Sequence, residues 1–137
     1  MKLCLDTNVL ISAFLSHGLC EALLRRIVEQ ERHQLLILPA VLEELQGTLQ
    51  QKFAVPAATA TREAGRLAPF IAAAPTGPLT LPDITDRADA VLLATAAALN
   101  ADYFITGDQE LLALGQHEAL RVVSPRQFWA LARLATD

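Results

Sequence analysis

The stretch TDRADAVLLATAAALNADYFITGDQELL, residues 85–112, decides the fold. It begins inside a polar segment, residues 83–87. Residues 88–99 are apolar nearly all round, which predicts a helix set in the core. Tyr103–Ile105 is an apolar run too brief for a helix and reads as a buried strand. Thr106-Gly107-Asp108 ends it, and the sequence returns to helix over residues 109–114. Helix, strand and helix in such close succession are the repeating unit of a parallel sheet covered on its faces.

The same alternation extends in both directions. Residues 2–5 form a short apolar strand bounded by the polar Asp6-Thr7-Asn8, and residues 9–15 a short helix stopped by Gly18. Residues 21–31 place Leu23, Leu24, Ile27 and Val28 on one face. Glu21/Arg25 and Arg25/Glu29 stand at i,i+4 on the other, which predicts an amphipathic helix. Residues 35–38 read as a second buried strand. Pro39 suits the first turn of a helix running to about Lys52. Residues 56–74 are Ala-rich and helical in character, with Pro69 splitting them. Residues 75–78 are a loop and 79–81 a candidate short strand. Beyond the opening stretch, residues 121–123 form the last strand, Ser124 caps the final helix and Pro125 occupies its first turn. The expected architecture is α/β: one domain over residues 1–137, with a central parallel sheet flanked by helices on both faces.

Composition narrows the function. The chain has 137 residues, 53% of them hydrophobic and 19% charged, which suits a packed core and excludes a disordered chain. Its net charge is −4, and Lys2 and Lys52 are its only lysines. No basic tract marks a tight nucleic-acid footprint; a nuclease would have to draw its positive charge from metal ions. Cys4 and Cys20 form no CxxC pair and match no zinc spacing, so a reducing, cytoplasmic setting is expected. No leader or membrane-spanning run is evident.

In parallel sheets function gathers beyond the carboxyl ends of the strands. Asp6 follows the first strand, and Asp108 follows Tyr103–Ile105. Glu44 lies about one turn into the helix after residues 35–38. Asp89 opens the core helix three residues after Asp86, among Ala88, Ala90, Val91 and Leu92. Each acid also has an ordinary role open to it. Asp6 can end a strand and start a turn. Asp108 can cap the helix at 109, or Thr106 can do so, with Gln109 completing a capping box. Glu44, paired with Glu43, can sit on a solvated face. Asp86 or Asp89 can cap a helix. If Asp6, Glu44, Asp89 and Asp108 converge, however, like charges about 4 Å apart repel by roughly 4 kcal/mol at a surface-like dielectric. Such a group needs cations. Its oxygen ligands suit Mg²⁺ or Mn²⁺ rather than zinc, and His17, His33 and His117 lack metal-ligand spacing. An acid-only metal site points to phosphate chemistry.

The sequence resembles the PIN domains, and within them the VapC-like bacterial toxins. The resemblance rests on LCLDTNVLISAFL at 3–15, LILPAVLEELQGTL at 36–49, residues 85–112 and RVVSPRQFWALA at 121–132. It implies a metal-dependent ribonuclease, the toxin of a toxin–antitoxin pair, cutting RNA at an Mg²⁺ or Mn²⁺ site. Carried over by position, it marks Asp6, Glu44, Asp89 and Asp108 as the catalytic, metal-holding acids. Asn8 and Thr106 become polar supports and Asp86 a fifth candidate. Glu44 is preferred to Glu43 because Leu42 and Leu45 frame it as in the family pattern. Pro39 and Arg87-Ala88 depart from that pattern, outside the acids. The resemblance also implies a cognate antitoxin, and the apolar residues 56–74 suggest a homodimer. Two other classes compare with this reading. One is a non-catalytic PIN-like module binding RNA or protein. The other is an aspartate-based phosphotransfer domain, which would need a lysine after a late strand or an Asp-x-Asp where Asp6-Thr7-Asn8 stands.

Overall fold

Leu3, Cys4 and Leu5 are fully enclosed, and their short apolar run pairs on both sides, as a strand inside a parallel sheet must. The computed structural model describes residues 1–136. In chain order they form β1 (Lys2–Leu5), α1 (Thr7–Leu15), α2 (Leu19–Glu29), β2 (Gln34–Leu36), α3 (Pro39–Gln51) and α4 (Ala57–Arg66). A 3-10 turn follows (Ala68–Phe70), then α5 (Arg87–Ala98), β3 (Tyr103–Ile105), α6 (Gln109–Leu114), β4 (Gln116–His117), β5 (Leu120–Val123) and α7 (Pro125–Thr136).

The strands are ordered β2-β1-β3-β5-β4. The first three pairings are parallel, with Cys4 beside Leu36 and Phe104, and Phe104 beside Val122. The chain leaves β1 toward β2, then crosses back over β1 to reach β3. The order therefore reverses between β1 and β3, and a crevice opens there at the carboxyl edge. Two backbone bonds carry the ladder past the strand ends: Asp6 N–H to the Ile105 carbonyl and Thr106 N–H to the Val123 carbonyl, both 2.9 Å. They fix Asp6 and Thr106 side by side at that crevice.

Helices cover both faces of the sheet, giving the expected three-layer α/β arrangement. Phe104, Ile105, Leu10, Leu45, Leu93 and Phe128 fill the core. Each such side chain contributes about 1.5–3 kcal/mol by leaving water. In α5 the small Ala90, Ala94 and Ala96 are buried with Leu92 and Leu93, whereas Val91 is exposed. Ser124 caps α7 as expected: its Oγ accepts from Gln127 N–H, and Gln127 Oε1 accepts from Ser124 N–H. Cys4 behaves as a buried hydrophobe, its thiol pushed up to about 12 by burial. Glu21 binds Arg25 and also His17, while Arg25 and Glu29 form no ion pair.

Several expectations are corrected. α1 begins at Thr7, two residues early, because Asp6 caps it. β2 covers Gln34–Leu36, and Ile37 leaves the ladder to bridge Ile71. Residues 79–81 form no strand. Pro78 and Pro82 flank them, and Leu79 and Leu81 lie exposed. The sheet also gains an antiparallel edge strand, β4, turned onto β5 through Glu118-Ala119. Two residues carry too little periodicity to be read from sequence. The Ala-rich segment buries much of its apolar surface internally, through Ala60, Ala64, Leu67 and Ala72.

Candidate active site

Three helix N-termini open toward the crevice, and an aspartate caps each. Asp6 Oδ1 accepts from Thr7 N–H at 2.8 Å on α1. Asp86 Oδ1 accepts from Asp89 N–H at 3.0 Å on α5. Asp108 Oδ1 accepts from Glu110 and Leu111 N–H on α6, at 2.9 and 3.2 Å. Capping and a functional site were alternative readings of these acids; here each carboxylate caps its helix through one oxygen and also lines the crevice. The positive ends of three helix dipoles help hold negative charge there.

Asp6, Glu44, Asp86, Asp89 and Asp108 all line one cleft of about 410 Å³, together with Thr7, Asn8, Ile11, Thr48 and Lys52. The structure thus brings together all four acids predicted from sequence and also Asp86. Glu44 reaches the cleft from the first half of α3; Glu43 does not. A larger groove of about 550 Å³ lies elsewhere, against Phe14, Leu24 and Val28, and is mostly apolar. The acids, not the size, single out the smaller cleft.

A hydrogen-bonded frame sets the orientation of Asp6. Thr106, fully buried, donates its hydroxyl to Asp6 Oδ2 at 2.7 Å, and its Oγ1 accepts from Asp108 N–H at 3.0 Å. Thr106 therefore does not cap α6; its hydroxyl is turned to Asp6. Asn8 Nδ2 donates to Asp6 Oδ2 at 3.2 Å and to Thr106 Oγ1 at 3.4 Å, and Asn8 Oδ1 accepts from Gly107 N–H at 3.0 Å. Two segments about a hundred residues apart are thus tied through three polar side chains.

The cleft's electrostatics are lopsided. Burial raises the pKa of Asp6 and Asp108 adds repulsion, while the bonds from Thr106, Thr7 and Asn8 oppose the rise. Asp89 is pushed up to about 6, first by burial and then by Asp86, Asp6, Asp108 and Glu44. Thr7 buries its hydroxyl in the cleft wall without a hydrogen-bond partner among the described residues. A cation would answer both features. Surplus negative charge would be neutralised, and a water or phosphate oxygen held by the cation could meet the hydroxyl. The donor set is all oxygen, which fits Mg²⁺ or Mn²⁺. Among the described residues no three acids are drawn into a closed coordination shell.

Thr7, Thr48 and Lys52 were missed as cleft residues. The signal was available: Thr48 and Lys52 stand four and eight residues after Glu44, on one helical face.

Comparison with known proteins agrees with this fold. A family model described as PIN domain matches residues 2–110. No match is found among curated protein sequences. VapBC2 from Rickettsia felis, solved bound to a DNA fragment from its promoter, is similar in fold. The TM-score is 0.62 at 15% identity, covering 90% of this chain and 98% of that one. VapBC-1 from nontypeable Haemophilus influenzae is similar at TM-score 0.61 and 16% identity, covering 92% and 99%. The family model spans both sheet edges of the cleft, from Asp6 to Asp108, and on that match the chain belongs to the PIN-domain family.

Proposed function

We propose that this chain is a metal-dependent ribonuclease and the toxin of a toxin–antitoxin pair. The observation that carries the reading is the cleft itself: five carboxylates at the β1/β3 crevice, one of them with its pKa raised to about 6 by burial and by the other four. Asp6, Glu44, Asp89 and Asp108 would hold Mg²⁺ or Mn²⁺, with Asp86 beside them. When bound, the cation supplies Lewis acidity and a water of lowered pKa. The chain's own residues do the rest. Thr106 and Asn8 hold the Asp6 carboxylate in one orientation. The caps of α5 and α6 fix Asp86 and Asp108 on rigid elements. The Thr7 hydroxyl, buried beside the cleft without a partner among the described residues, would be a further donor to a bound oxygen.

The decisive experiment is cleavage of single-stranded RNA with Mn²⁺. Activity lost in Asp6→Asn supports the reading. A protein that binds RNA but never cuts it would instead be a non-catalytic module.

The similarity to VapBC structures supports a cognate antitoxin, which we place against the acidic cleft through an arginine or lysine. Recovery of the neighbouring gene's product should fall in Asp108→Asn and with excess Mn²⁺. Equal recovery throughout would put the antitoxin elsewhere. Phe53 and Ile71, large and exposed around the Ala-rich segment, support a homodimer. A monomeric mass by light scattering at micromolar protein would exclude it. Among the described residues no single helix is long and apolar enough to cross a membrane, in keeping with a cytoplasmic setting.

A further inference from the structure

Lys52 is one of the chain's two lysines, and it lines the acidic cleft. It stands at the C-cap of α3, exposed, and forms no ion pair with any carboxylate among the described residues. A lysine beside five acids that pairs with none of them keeps its charge available for something else.

Its position suggests what that is. Glu44, Thr48 and Lys52 recur every four residues and all line the cleft, so they form one row along α3. At 1.5 Å per residue the row is about 12 Å long. An acid stands at one end, a neutral hydroxyl in the middle and a cation at the far end. A polyanionic strand with one phosphate among the acids would place a neighbouring phosphate near the cation. No other Lys or Arg lines the cleft among the described residues. A lysine at a helix C-terminus is also favoured by the helix dipole, but the dipole alone does not call for a place in this cleft.

We infer that Lys52 binds a backbone phosphate of the RNA strand flanking the scissile one, and so sets substrate affinity and register. The inference rests on the ribonuclease reading. A lysine contact to phosphate releases counterions and contributes about 0.7 to the slope of log affinity against log salt for a single strand.

The test compares wild type, Lys52→Gln and Lys52→Arg. Initial rates are measured on a fluorescein-labelled single-stranded RNA across a salt series in Mn²⁺. Calorimetry with Mn²⁺ alone and thermal melts run alongside. Lys52→Gln should raise KM about three- to tenfold with little change in kcat, and lower the salt slope of kcat/KM by about 0.7. Lys52→Arg should recover most of the lost affinity. Mn²⁺ binding and the melting temperature should stay close to wild type. A wild type that cuts RNA while Lys52→Gln keeps its KM and salt slope overturns the lysine contact alone. So does a Lys52→Gln protein with unchanged KM but altered Mn²⁺ affinity, since the lysine would then be serving the acids. If wild type neither cuts nor binds RNA, the ribonuclease reading fails, and the lysine contact with it.

Discussion

Replacing Asp89 by asparagine removes a charge that its surroundings resist. Asp89 is partly buried and faces Asp86, Asp6, Asp108 and Glu44, and its pKa rises from 3.8 to about 6. At 1.36 kcal/mol per pKa unit, ionising it in the folded protein costs about 3 kcal/mol more than in the unfolded chain. Asp89 is not fully enclosed, so solvent screening reduces this to about 1 kcal/mol. Loss of a first-turn acid from α5 returns a few tenths. The sign follows from proton uptake. The folded state holds this proton more tightly, so Asp89's destabilising contribution is absent below about pH 4 and complete above about pH 6. Metal-free Asp89→Asn should therefore melt about 3 °C above wild type at pH 7.5, using about 2.1 cal/mol/K per residue for the unfolding entropy. Between pH 6 and 4 the difference should shrink toward zero. Mn²⁺ at a hundred times its Kd should add about 2.7 kcal/mol to wild type and much less to the variant, reversing the order. The assay is a set of thermal melts by circular dichroism, at several pH values, with and without Mn²⁺. A metal-free variant that melts below wild type at pH 7.5 would refute the argument that these acids strain the fold.

Thr106→Val removes the hydroxyl that donates to Asp6 and accepts from Asp108 N–H. Stability should fall by about 1–3 kcal/mol and Mn²⁺ affinity by about tenfold or more; unchanged Mn²⁺ calorimetry would show that Asp6 needs no such support. Asp108 separates its two roles by substitution. Asparagine should keep the α6 cap and weaken the proposed metal site, whereas alanine should also lose the cap, about 1 kcal/mol. Chemical denaturation should place Asp108→Ala below Asp108→Asn with both inactive on RNA. Equal stability would mean the cap contributes nothing.

Sequence alone determined most of the succession of elements, the absent strand at 79–81 and the added β4 apart, because strand brevity, helical periodicity and Pro or Gly breaks are local signals. Residues 88–99 could hardly be other than a core helix, nor Tyr103–Ile105 other than a strand. It also nominated every acid of the cleft, through positions after strands and at helix starts and through the resemblance of four blocks to one family. It could not choose between capping and chemistry for Asp6, Asp86 and Asp108, since both roles use the same residue at the same helix start. Only the tertiary structure shows that all three cap their helices and also line one cleft. The order β2-β1-β3 opens the crevice between two strands about a hundred residues apart and gathers the capping carboxylates into one cleft. β4 was likewise beyond local pattern, because it depends on a neighbouring strand's edge. Local pattern put Lys52 on the helical face of Glu44, but that this face lines the cleft depends on how α3 packs.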